Sequence, residues 1–75
     1  MNEQMYCYIL NRIRKLAKEN GEDPADVAIK ITLLNGDKIF TEAGNCNRIG
    51  DGDILEAWDG EIVFVPLKNI LSISC

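Results

Sequence analysis

The chain contains no histidine, and its three cysteines stand far apart at Cys7, Cys46 and Cys75, with no Cys-x-x-Cys pair. Without imidazole, a serine or cysteine nucleophile lacks the base that ordinarily activates it near neutral pH. A zinc site would need three distant thiolates and a carboxylate to converge, far from the short ligand spacings of known sites, so no metal is expected. An odd number of scattered cysteines without a secretory leader also argues against a disulfide framework and for a reducing, cytoplasmic setting. Long apolar runs are missing as well. The stretch Met5 to Leu10 is broken by Asn11 and Arg12, well short of the roughly 20 residues a membrane span needs. A soluble, non-enzymatic protein without cofactor or membrane contact is the expectation.

What is present is one domain of 75 residues. At that size a single core supplies only about 3–5 kcal/mol unless something else helps. With disulfide and metal set aside, pairing with copies of itself is the remaining stabiliser. The net charge of −4 is unevenly spread. Residues 2–20 carry Arg12, Arg14, Lys15 and Lys18 against Glu3 and Glu19; the other ten of the twelve acids lie between residues 22 and 61, with only Lys30, Lys38 and Arg48. An acidic body disfavours broad phosphate-backbone binding but leaves room for a narrow site that reads bases. It equally suits a basic protein partner.

Residues 1–20 read as an amphipathic helix, because Tyr6, Ile9, Leu10, Ile13, Leu16 and Ala17 recur at three- and four-residue steps. Asn20-Gly21 supplies its stop. Asp23 is placed to cap a single turn opened by Pro24. From Val27 the apolar period becomes two, and Asn35-Gly36 between extended runs marks a hairpin. Two registers fit: a two-residue loop sets Ile31 opposite Phe40, and a three-residue bulged loop sets Ile31 opposite Ile39. Gly44–Asp53, dense in turn formers, is either a long loop or two short edges joined by a turn. A second hairpin follows, Ile54–Trp58 and Glu61–Val65 around Asp59-Gly60. Pro66 interrupts it, Leu67–Asn69 makes a tight turn, and Ile70–Ser74 is a last strand. The expected architecture is α+β, with helix 1–20 and a five-stranded, strongly bent antiparallel small β-barrel over 27–74.

Ile62–Val65 is apolar on both sides of its strand, and Ile70, Leu71 and Ile73 nearly repeat the pattern. A barrel interior takes one side only. The other calls for the chain's own helix, a second subunit or a ligand. Ile62, Val63, Val65, Ile70, Leu71 and Ile73 are therefore the candidate oligomer interface.

Residues 27–74, with the preceding helix, resemble the Sm-like small barrels of Sm and Hfq-type RNA-binding proteins. The likeness lies in the first strand ending Leu33-Leu34-Asn35-Gly36, the outgoing strand with Ile39, and the strand pair followed by a tight turn and short last strand. The resemblance implies a ring in which the fourth strand of one subunit pairs with the fifth of the next. It also implies single-stranded RNA or a nucleotide held by the loops Gly44–Asp53 and Pro66–Asn69. Asn45, Asn47, Arg48, Lys68 and Asn69 are the candidate ligand residues there, since amide and guanidinium groups suit base edges. Neither loop carries an aromatic residue to stack a base.

The remaining constellations have ordinary explanations. Cys46 reads as a semi-buried thiol, Asp51/Asp53 and Glu56/Asp59 as turn and solvated-face residues, and the basic helix face as solvated. Core packing is expected for Tyr6, Tyr8 and Trp58, with an interface as the alternative. The functional expectation is an oligomeric barrel binding RNA or a nucleotide through its loops. The alternative is a protein-interaction, inhibitor or assembly module acting through its acidic surface.

Overall fold

Tyr6, Leu10, Ile13 and Ala17 fall on one stripe of a 3.6-residue helix, and this stripe is what the fold buries. In the computed structural model, which describes residues 1–75, helix α1 runs Glu3–Glu19. Asn2 caps its start, accepting from the Met5 amide at 2.7 Å. Gly21, at φ +77°, closes its end: the Gly21 amide donates to Lys18 O and the Glu22 amide to Ala17 O. Ile9 is half-buried and Leu16 exposed, so the buried stripe is narrower than the apolar pattern suggests. Asp23 accepts from the Ala25 amide at 2.9 Å, capping the single 3-10 turn Pro24–Asp26.

Strands β1 (Ala28–Leu33) and β2 (Lys38–Glu42) form the first hairpin, with Ile31 opposite Ile39. The bulged register is thus the one adopted. Gly36 donates to Leu33 O at 3.0 Å with φ +93°, and Leu33 donates to Asp37 O at 2.8 Å across the three-residue loop. A 3-10 turn at Ala43–Asn45 then leads into β3 (Cys46–Ile49), β4 (Ile54–Trp58), β5 (Ile62–Pro66), a second such turn at Leu67–Asn69, and β6 (Ile70–Ser74). Trp58 faces Ile62, so the second hairpin loop spans Asp59–Glu61, one residue more than Asp59-Gly60.

The five-stranded barrel expected from sequence is corrected by this topology. Six strands lie in two antiparallel three-stranded sheets, ordered β2-β1-β6 and β3-β4-β5, and no closed barrel forms. The additional strand, β3, comes from Gly44–Asp53, which proves to be an edge and a turn: Gly50 and Gly52, at φ +64° and +90°, reverse the chain into β4. The 3-10 turn between β2 and β3 passes the chain from one sheet to the other. The sheets do not close on each other: neither β2 with β3 nor β5 with β6 is paired.

The core lies between the inner sheet faces and α1, with Leu10, Ile31, Leu55 and Ile70 its largest fully buried side chains. Arg14 ties the helix to the first inter-sheet turn, donating to Ala43 O at 3.1 Å. No helix is long and apolar enough to cross a membrane.

Candidate functional site

Asn47 and Arg48, consecutive on β3, both line a cavity of about 300 Å³ against α1, shared with Tyr6, Asn11 and Arg14. Arg48 is ion-paired with Glu3 at the helix start. That pairing pushes the Arg48 guanidinium above its ordinary pKa. The other candidate ligand residues stand elsewhere. Asn45 lines the largest cavity, about 660 Å³, beside Phe40 and Trp58. Lys68 borders a cavity of about 620 Å³ with Met1 and Asp53. Asn69 borders a fourth, of about 230 Å³, with Leu34 and Asn35. The fold gathers one pair of the five and separates the rest.

Backbone bonds account for the turn that bears Lys68 and Asn69. The Met1 ammonium donates to Leu67 O at 3.0 Å and to Ile70 O at 3.1 Å, while Asn69 O accepts from the Leu34 amide at 2.8 Å. The turn is thereby fastened to the helix start and to the first hairpin loop.

Burial pushes the Cys46 thiol up, with the Thr41 hydroxyl and Arg14 opposing it only in part. Its Sγ donates to Glu42 O at 3.6 Å. A proton held this way disfavours the thiolate that nucleophilic or metal chemistry requires. Tyr6 is pushed up to about 12, first by burial and then by the neighbouring Cys46, and so stays a neutral donor in the cavity wall. No group of three or more His, Cys, Asp or Glu side chains is arranged to hold a metal ion.

The candidate interface divides by parity on β5, and on β6 by an alternation that the bulge at Leu71 resets. Val65 and Ile70 belong to the chain's own core, Val63 and Ile73 pack partly against it, and Ile62 and Leu71 are exposed. Core packing holds for Tyr6 but not for Tyr8 or Trp58, which are 68% and 49% exposed. Tyr8 lies off the buried helix stripe, and Trp58 alternates with the buried Ala57 and Leu55. The same alternation turns Phe40 outward beside Ile39 and Thr41, and Phe64 outward beside Val65. These two aromatics were absent from the sequence-derived site. The period-two pattern was the signal that places them on the outer face.

The open edges carry part of this apolar surface. Leu67 N to Asp53 O and Asp59 N to Glu61 O set the phase of the β4–β5 ladder. By alternation, the amides of Ile62 and Phe64 point away from β4. On β6, Ser72 and Ser74 stand opposite Thr32 and Lys30 of β1, in the phase that leaves the Ile73 amide pointing outward. At the other edge of the β2-β1-β6 sheet β2 is blunted, because its Phe40 amide donates to Asp59 Oδ2 at 3.3 Å. The edges of β3, β5 and β6 have no strand beside them. Phe64 and Leu71 are 58% and 61% exposed along the last two, where β5 ends at Pro66 and β6 carries a bulge at Leu71. The outer cover once open to the chain's own helix is not supplied by α1.

Comparison with protein-family models, with curated proteins and with solved structures gives no match to this chain.

Proposed function

We propose that the chain is a non-enzymatic assembly module that self-associates, the β5 edge of one copy pairing with the β6 edge of the next. The observation that carries this reading is the coincidence, on both free edges, of unpaired amides with exposed apolar side chains: Ile62 and Phe64 on one, Leu71 on the other. An exposed apolar edge is a template for a further strand; Pro66 and the bulge at Leu71 confine that template to residues 62–65 of β5 and 72–74 of β6. Because the two edges differ, the contact is head-to-tail, and copies related by a closing rotation form a ring.

Light scattering tests it. Wild-type protein is expected as a defined oligomer, and Phe64→Lys or Leu71→Lys as a monomer with unchanged helix content. Both side chains are exposed, so the substitutions spare the core. A monomeric wild type at micromolar concentration refutes the reading.

A second reading, single-stranded RNA or a nucleotide held at Asn47 and Arg48, is favoured by Asn11 and Arg14 lining the same cavity, and it requires Arg48 to leave its ion pair with Glu3. Titration of short labelled RNA at two salt concentrations checks it. Binding that weakens with salt and with Asn47→Ala supports this reading, and absence of binding removes it.

A further inference from the structure

Phe40 and Trp58 belong to different sheets, yet both line the largest cavity, together with Lys30, Glu42 and Asn45. The link is Asp59, directly after Trp58, whose carboxylate accepts the Phe40 amide and ties the β4–β5 loop to the β2 edge. Both rings remain roughly half exposed, at 59% and 49%. The chain's one ion pair is Arg48 with Glu3, so Glu42 reaches this groove with its charge unpaired.

Two aromatic rings and an unpaired carboxylate around one cleft, on a chain of net charge −4, form a site for an organic cation. An arginine guanidinium or lysine ammonium stacks against a ring face, most strongly against tryptophan, and gains further from a carboxylate beside it. We propose that this groove receives an arginine or lysine side chain from a basic peptide segment of a partner. The cation seats against Trp58 and Phe40, and Glu42 meets its charge. A nucleotide base would stack on the same rings, but its phosphate would meet Glu42, Asp59 and the acidic field of the whole chain. Lys30, opposite Phe40 on β1, is the one cation in the wall and opposes the guest. It makes the two guests separable by experiment.

Trp58 is the only tryptophan, so its fluorescence reports on the groove alone. Wild-type protein is titrated at constant ionic strength with a blocked peptide bearing two arginines, with its glutamate counterpart, and with adenosine monophosphate. The arginine peptide is expected to give a saturable change in the millimolar range, with none from the glutamate peptide or the nucleotide. Phe40→Ala, a change at an exposed position, is expected to weaken binding about tenfold, equivalent to about 1.4 kcal/mol. Glu42→Gln weakens it severalfold, and Lys30→Gln tightens it. No saturable response to the arginine peptide overturns the proposal, as does affinity unchanged in both Phe40→Ala and Glu42→Gln. Binding of the nucleotide that Lys30→Gln abolishes overturns it in favour of an anionic guest. Phe64 and Leu71 are intact in all these variants, so light scattering on the same samples reads self-association independently.

Discussion

Thr41 Oγ1 is fully buried without a hydrogen-bond partner of acceptable geometry. It lies near Cys46, whose ionisation it favours, but a thiol sulfur is a weak acceptor. Leaving such a group unsatisfied costs about 1–3 kcal/mol. Thr41→Val is therefore expected to raise stability by about 1 kcal/mol in urea denaturation, and a loss of that size would show that the hydroxyl holds Cys46 in place. Tyr6 gives the chain an alkaline weakness. Folded, it keeps its proton to about 12, whereas the unfolded chain releases it near 10.0. Above that lower value the unfolded state binds fewer protons, so stability is intact below pH 10 and declines as pH rises through 12, by about 3 kcal/mol in total. Burial of Cys46 adds a loss of the same sign beginning near 9.0. Tyr6→Phe should remove the tyrosine part of this decline and leave the cysteine part, as read from unfolding midpoints across that range.

At the scale of elements, the short 3-10 turns decide the architecture. Gly44, in the turn between β2 and β3, faces the turn Pro24–Asp26, and a Cβ there would stand 2.8 Å from both Ala25 Cβ and Ala25 O. Gly44→Ala should lower stability by about 2 kcal/mol. Ala25→Gly in the same chain should restore only part, because the carbonyl contact persists. Helix α1, both hairpins and the final strand were legible in the sequence, since each rests on local periodicity and turn chemistry. Strand β3 was legible only as one of two alternatives for Gly44–Asp53: Cys46-Asn47-Arg48-Ile49 buries one side chain and lies among glycines and aspartates, so its strand character comes from pairing with β4. Lys68 and Asn69 lie on the inter-sheet turn Leu67–Asn69, while the separation of Asn45 from Asn47 follows from the one between β2 and β3. So does the meeting of Phe40 with Trp58, which are distant in sequence and belong to different sheets.

The whole molecule leaves nine large apolar side chains exposed on 75 residues. Phe40, Trp58, Ile62 and Phe64 cluster on β2, β4 and β5, and Leu71 lies on β6. Four such residues expose on the order of 400–500 Å² of apolar surface, at the upper end of what a monomer ordinarily shows. Of these side chains only Ile62, Phe64 and Leu71 lie on the β5 and β6 edges, less than the roughly 800 Å² that a standard interface buries on each partner, so the contact proposed there depends on strand pairing as well as on apolar burial. The division of labour proposed here assigns the edges to copies of the chain and the Phe40–Trp58 groove to a basic guest. The most direct test of self-assembly is the solution mass of wild-type protein by light scattering, beside Phe64→Lys and Leu71→Lys. The expected result is a discrete multiple of 8.4 kDa for the wild type and a single 8.4 kDa species for either variant. A wild-type mass of 8.4 kDa across micromolar concentrations, or variants that assemble as the wild type does, contradicts it.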